Sequence, residues 1–473
     1  MAKRQLHYQA IKCSDTGIEA GSECFYPHEL DYPKRPKWDY TMSKQELDQS
    51  ENRYFRKFCE DIDINFVDEN LCKYELNLET WRQLWRVTEI SDVLLIIVDA
   101  RYPVLQFPPY LYDDLVNVKK KDVILVLNKC DLIPPSLVVA WKKYFSEKYR
   151  NLSVVPFFSL EGAKSTRGLL RMAKNSSLKL VDACQNLVGD EVDISGWRRK
   201  IEEEIVISPE AEQHCVIENE KVDQESFAYK KFNNNVLTIG TIGHPNVGKS
   251  SLINALMGKK VVSVSRTPGH TKHFQTIYLT KSVRLCDCPG LVFPSISPVE
   301  LQVISGSYPI AQYSDPLGAL HYVGTLIDLP KRLNLQQCIE NDNRNEKNAW
   351  SSFNIADAWA IKRGYFMKMK GARPDVNRSS NELLRFTLSG NKNLVISIKP
   401  PNYHKNKSVY ESDQEIDEIK KIQGLYQSKI LEKKEKTSKA RNNNSNTNSD
   451  EDEEEEEIDY QFSTNRFSLL DID

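Results

Sequence analysis

The chain has 473 residues, enough for two or three domains and a large core. Its formal net charge of −2 excludes a global basic field for nucleic acid, so any basic surface must be local. Ten cysteines without a C-x-x-C pair argue against a zinc site and a disulfide framework, and the absence of a long apolar run or an apolar N-terminal core leads us to expect a soluble intracellular protein, cytoplasmic or nuclear, with no membrane partner.

Residues 1–50 are polar and carry Pro33 and Pro36; they read as an extended arm. Helical spacing follows from Glu69 to Val87, with Trp81, Leu84 and Trp85 as core candidates. Two runs are then continuously apolar, Val93-Leu-Leu-Ile-Ile-Val-Asp-Ala-Arg101 and Asp122-Val-Ile-Leu-Val-Leu-Asn-Lys-Cys-Asp131. Parallel strands buried on both faces read this way. The second run ends in Asn128-Lys129-Cys130-Asp131, and in a doubly wound sheet ligands bind at the carboxyl ends of strands. N-K-x-D suits guanine. The Asp131 carboxylate can accept from both N1–H and N2–H₂, Asn128 can address N7, and the Lys129 stem can lie on the ring face. The alternative is a plain Asn/Asp turn.

A helix over 137–149 and a strand over 152–158 follow, leading to Ser159 and Leu160. Residues 188–231 turn acidic and lose periodicity apart from a helical piece at 197–205, so they read as an insertion or linker.

Next comes Gly243-His244-Pro245-Asn246-Val247-Gly248-Lys249-Ser250-Ser251, which fits G-x-x-x-x-G-K-[ST] between an apolar strand and a helix. Such a loop wraps an oligophosphate in backbone N–H groups at a helix N-terminus. Lys249 would reach the β- and γ-phosphates and Ser250 would ligate Mg²⁺. The polar stretch 261–271 is placed to reach the γ-phosphate. Thr271 is the candidate hydroxyl for Mg²⁺, Thr267 the alternative, and local turns would also explain both. A strand over 282–286 runs into Asp287-Cys-Pro-Gly290, where Asp287 would hold Mg²⁺ through water and the Gly290 N–H would meet the γ-phosphate.

Residues 300–390 read as mostly helical, with a short strand at 394–398. Lys362, Arg363, Lys368, Lys370, Arg373 and Arg378, interleaved with Tyr365 and Phe366, form either an RNA-backbone patch or a solvated basic face. Residues 406–473 are Lys/Glu/Asn-rich, end in an acidic run, and are expected to be disordered.

The base elements precede the phosphate elements, the reverse of the usual order. With Asp99-Ala-Arg101, Asn128-Lys-Cys-Asp131, the 243–251 loop, Thr267-Pro-Gly-His-Thr271 and Asp287-Cys-Pro-Gly290, the chain resembles the circularly permuted GTPases, a family of ribosome-assembly factors. The resemblance covers about residues 30–405. It implies an α/β fold: a circularly permuted P-loop GTPase domain with a mostly parallel sheet and helices on both faces (51–300), a smaller helical C-terminal domain (301–405) and a disordered acidic tail (406–473). It implies binding and hydrolysis of GTP with Mg²⁺, catalytic roles for Lys249, Thr271 and Gly290, and a ribosomal subunit, its RNA or its proteins as partner. Ser159 and Leu160 would offer a backbone N–H to guanine O6. Asn246 resembles a K⁺-coordinating Asn of related GTPases, or simply shapes the loop. Leu291 stands where many GTPases carry a water-positioning Gln, so slow, partner- or K⁺-stimulated turnover is expected of a monomer.

Overall fold

The computed structural model describes residues 6–14, 17–39, 41–67, 70–158, 167–203, 231–257, 261–262, 275–336, 349–367, 373–390 and 394–420. Among them one sheet carries β1 (Val93–Asp99), β2 (Asp122–Asn128), β3 (Ser153–Pro156), β4 (Leu237–Ile242), β5 (Gln275–Thr280) and β6 (Val283–Asp287). Their order is β3-β2-β1-β4-β6-β5, and only the edge strand β5 runs antiparallel, to β6. The apolar runs become strands because alternate side chains find a core on each face. Leu94, Ile96 and Val98 enter one core; Val93, Leu95 and Ile97 enter the other.

The chain builds outward from β1 to β2 and β3, then returns to lay β4 on the other side of β1. That reversal opens a crevice at the carboxyl ends of β1 and β4, the place where open α/β sheets bind ligands. Asp99 and Asn128 end neighbouring strands in register there. The Gly243 loop follows β4 directly.

The helices divide between the two faces. On one lie α4 (Arg167–Val188), α5 (Ser195–Glu203) and α6 (Lys249–Met257); on the other α2 (Leu78–Ile90), α3 (Pro135–Lys148) and the C-terminal helices. These are α7 (Val299–Ser305), α8 (Pro316–Leu326), α9 (Ser352–Arg363), α10 (Val376–Ser389) and α11 (Tyr403–Glu411). Their apolar stripes, such as Leu320 and Val323, Ile355 and Trp359, Leu383 and Leu384, join the same core as the sheet. The region expected as a separate C-terminal domain therefore shares one hydrophobic interior with the G domain.

Several expected boundaries move. The arm is extended, but it is a packed element: Tyr26 and Tyr32 are buried, Tyr32 Oη donates to Asp114 at 2.6 Å, and Trp85 Nε1 donates to Pro33 O at 2.9 Å. The boundary expected at residue 50 falls inside α1 (Lys44–Asn65), which starts with a capping box of Ser43 and Glu46. The helix expected from Glu69 begins only at Leu78, where Asn77 caps it. Residues 70–75 instead pair with 292–297 through Cys72 N to Ser295 O (2.9 Å), Glu75 N to Val292 O (3.0 Å) and Ser297 N to Asn70 O (2.8 Å). The start of the acidic insertion is also built in, because Val192, Ile194, Trp197 and Ile201 are buried against the sheet; 204–230 lie outside the described residues. The tail expected to be disordered from 406 continues α11, then docks Ile416 and Ile419 in the core. Acidic groups flanking them find α3 and α4: Glu415 meets Lys142 at 2.7 Å and Glu418 meets Lys179 at 3.0 Å. Residues 421–473 lie outside the described residues.

Candidate nucleotide site

The base motif and the phosphate loop meet. Asn128 Nδ2 donates to Val247 O at 2.7 Å across 119 positions, and Lys129 Nζ donates to Asn246 O at 2.5 Å across 117. Asn128 is fully buried, so this bond cannot be traded for water. Lys129 takes φ 61°, an uncommon region for a lysine, and its tip also stands 3.3 Å from Asp99 Oδ2. Asp131 lies in the short turn that follows and is half-buried. Ser159 and Leu160 lie outside the described residues.

In the phosphate loop the His244 and Val247 side chains are buried. A Cβ on Gly243 would stand 2.3 Å from Ile97 O, so only glycine lets the loop pass the end of β1. His244 is buried beside Phe293, with Nδ1 and Ser307 Oγ 3.0 Å apart. Burial, helped by the nearby Lys249, pushes its pKa down to about 3, so the ring is neutral. Val247 fills the core on the opposite face. Pro245 has no N–H to give. Asn246 takes φ 60°, which Asn tolerates, and its Nδ2 donates to Gly306 O at 2.9 Å. That amide therefore shapes the loop and ties it to the end of α7.

Lys249 begins α6 and is buried; its Nζ donates to Gly243 O (2.9 Å) and His244 O (2.7 Å). Burial lowers its pKa to about 8, with Asp287 pulling the other way. Asp287 is buried too; burial raises it to about 6 against the pull of Lys249 and the Thr241 hydroxyl. Oδ1 lies 3.3 Å from Thr241 Oγ1, whereas Oδ2, fully enclosed, has no hydrogen-bond partner. A buried carboxylate oxygen left unmet is costly, and a cation there would satisfy it. The donors Ser250 and Asp287 thus fit Mg²⁺. Ser250 is half-buried at the loop, while the Ser251 hydroxyl is buried without a partner. Gly290 closes against the loop: a Cβ there would stand 2.9 Å from Pro245 Cα. Leu291 N donates to Gly243 O at 3.2 Å and its side chain is wholly in the core. Thr267 and Thr271 lie outside the described residues.

Sequence reading placed Arg101 in a family motif but gave it no role; it is 0% exposed and chelates Asp99 through Nε (3.0 Å) and Nη2 (2.8 Å). Its only signal was an Asp-Ala-Arg step at a strand end. Of the basic patch, Lys362 is engaged with Leu333 O and Asn334 O, Arg378 lies 3.9 Å over the Tyr365 ring, and Lys368 and Lys370 lie outside the described residues.

A family described as "50S ribosome-binding GTPase" matches residues 238–347. Guanine nucleotide-binding protein-like 1 of Mus musculus is 42% identical over 422 residues, spanning 84% of this chain and 69% of its own length. The Homo sapiens protein of the same name is 41% identical over 427 residues, with the same coverage. GTPase LSG1-1 of Arabidopsis thaliana is 31% identical, spanning 78% of this chain and 68% of its own. A GNP-bound YlqF from T. maritima is 18% identical, with TM-score 0.36, covering 66% of this chain and 93% of its own. Permuted order and P-loop are those of a GTP-binding protein, and the chain belongs to the guanine nucleotide-binding protein-like 1 family of circularly permuted GTPases.

Proposed function

We propose that this protein hydrolyses GTP to GDP and phosphate and acts as a nucleotide-dependent switch in ribosomal subunit assembly. The observation that carries the reading is the meeting of Asn128 and Lys129 with the Asn246 and Val247 carbonyls, which brings ring recognition and charge recognition within the span of one nucleotide. Asp131 forks onto the guanine edge and Lys129 lies along its face. The loop amides meet phosphate oxygens, for which Lys249 exchanges the Gly243 and His244 carbonyls. Ser250 and Thr271, with Asp287 through water, would hold Mg²⁺, which would supply charge neutralisation for the phosphates. The Gly290 N–H donates to the γ-phosphate.

Leu291 can neither donate nor accept, so no side chain at that position aligns water. Slow intrinsic turnover follows, with stimulation by a partner or by K⁺ near Asn246. The stretch 291–298 carries nucleotide state outward. Its backbone is held by residues 70–75 and by Phe25 O, which accepts from Ile296 N at 2.8 Å, so the N-terminal segment receives the signal along with α7.

GTP turnover measured with and without large ribosomal subunits tests the reading. Slow release of phosphate that rises with subunits is expected. Tight binding with no turnover in either condition would favour a second reading, a guanine-nucleotide-binding scaffold, which the burial of Leu291 supports.

A further inference from the structure

A buried chain of charges leads from the base motif to the C-terminal helices. Arg101 sits between two partners. On one side it grips both oxygens of Asp99. On the other, Nη1 donates to Thr387 O at 2.9 Å and Nη2 to Leu388 O at 3.0 Å, carbonyls in the last turn of α10. Those carbonyls carry the negative end of the helix dipole, and Thr387 O also accepts from Gly390 N at 3.3 Å. A buried arginine is tolerable only with this degree of satisfaction. Asp99, enclosed as well, faces Lys129 Nζ at 3.3 Å. Burial alone would raise the Asp99 carboxyl, but Arg101 and then Lys129 hold it down at about 2, so it stays ionised. Lys129 is therefore pinned at its tip from two sides, by Asp99 and by Asn246 O, which sets the line of its stem.

Resting on the reading of Lys129 as the residue laid along the guanine ring, we propose that Arg101 is a positioning residue for guanine-nucleotide binding. Through Asp99 it fixes Lys129, and through the Thr387 and Leu388 carbonyls it makes α10 a structural part of the base site. A merely structural arginine would lower stability without acting through Lys129.

A double-mutant cycle on the full chain separates the two, with GDP affinity read by calorimetry well below the melting temperature. Arg101→Met should raise the GDP Kd by about tenfold, the order of one lost charge-assisted contact. In a Lys129→Met background the same change should alter Kd by less than about twofold, because the path is already cut. Unchanged GDP affinity in Arg101→Met, or losses that multiply, would overturn the proposal. If Arg101→Met does not fold, Asp99→Asn takes its place in the same cycle, since it keeps the shape and an acceptor for Arg101 but removes the charge facing Lys129. Asp131→Asn is the control for the underlying reading. If it fails to move preference from GDP toward XDP, the base assignment is at fault; if it does so while the cycle shows no coupling, only the role of Arg101 is.

Discussion

The two ends of the nucleotide site are built on opposite principles. At the base end Asn128 and Lys129 already bond to P-loop carbonyls, and the Asp99 charge is balanced by Arg101. At the phosphate end Lys249 and Asp287 are both buried, each shifted toward its neutral form, and Asp287 Oδ2 has no hydrogen-bond partner. The base end is satisfied within the fold; at the phosphate end Lys249 is held by the Gly243 and His244 carbonyls, and the Asp287 Oδ2 is left over. The difference teaches where affinity and specificity reside. On the proposed reading the enclosed Asp287 oxygen gains most from an arriving cation, whereas bonds already made at the base end would serve discrimination.

The sharpest way to break this contrast is Lys249→Met. GTP affinity should fall on the order of a thousandfold, the scale of losing a charged donor in an enclosed site. Folding should survive, because Asp287 can take up a proton. Calorimetry that shows less than tenfold loss would mean the phosphate end is not where the binding energy lies.

The pH dependence comes next. The folded pKa of Asp287, about 6, lies above the ordinary carboxyl value of 3.8. The contribution of its proton to stability is thus complete below about pH 4 and is lost as pH rises through 6, on the order of 3 kcal/mol. His244, neutral in the fold with its pKa near 3, adds a slope of the opposite sign over the same window, so the Asp287 effect is read as the difference between wild type and Asp287→Asn, which share that histidine. In nucleotide-free protein the stability of wild type relative to Asp287→Asn should fall as pH rises from 4 to 7, while Mg²⁺-dependent GTP binding by wild type strengthens, and denaturant melts and titrations over that range measure both. A wild-type-minus-variant stability difference that stays flat would show that the carboxyl is not strained.

Gly290→Ala pushes a methyl against Pro245. A shift of that size should weaken GTP by up to about a hundredfold while sparing GDP if, as proposed, Gly290 meets the γ-phosphate alone. Equal loss for both nucleotides would instead indicate a deformed P-loop. The smallest effect is expected from Asn246→Ala, which removes the bond to Gly306 O at about 1 kcal/mol of stability. Turnover rates in K⁺ and Na⁺ should differ in the wild type and converge in this variant; convergence in the wild type itself would remove K⁺ from the site.

Much of the site could be read in advance because its chemistry is local. The G-x-x-x-x-G-K-S loop, N-K-x-D and D-x-x-G each lie within a few residues and each follows a short run that reads as a strand. Less legible were residues whose meaning depends on distant partners. The ribbon over 70–75 looked helical until residues 292–297 offered it backbone bonds, and the ring of His244, whose direction the loop motif leaves open, turns into the core toward Ser307. Residues 406–420 looked like solvent-borne tail, yet Ile416 and Ile419 find the interior once Lys142 and Lys179 balance the acids beside them.

Periodicity and short motifs by themselves determined the strands, the phosphate loop and the permuted order, since those follow from steric and hydrogen-bonding rules that act over a few residues. Only the folded chain decided what holds these pieces in place: Arg101 on the last turn of α10, Lys129 on Asn246, the arm and tail against the sheet. Such contacts join positions hundreds of residues apart, and no local rule specifies which of many equally polar or apolar partners will be brought near when the two cores close.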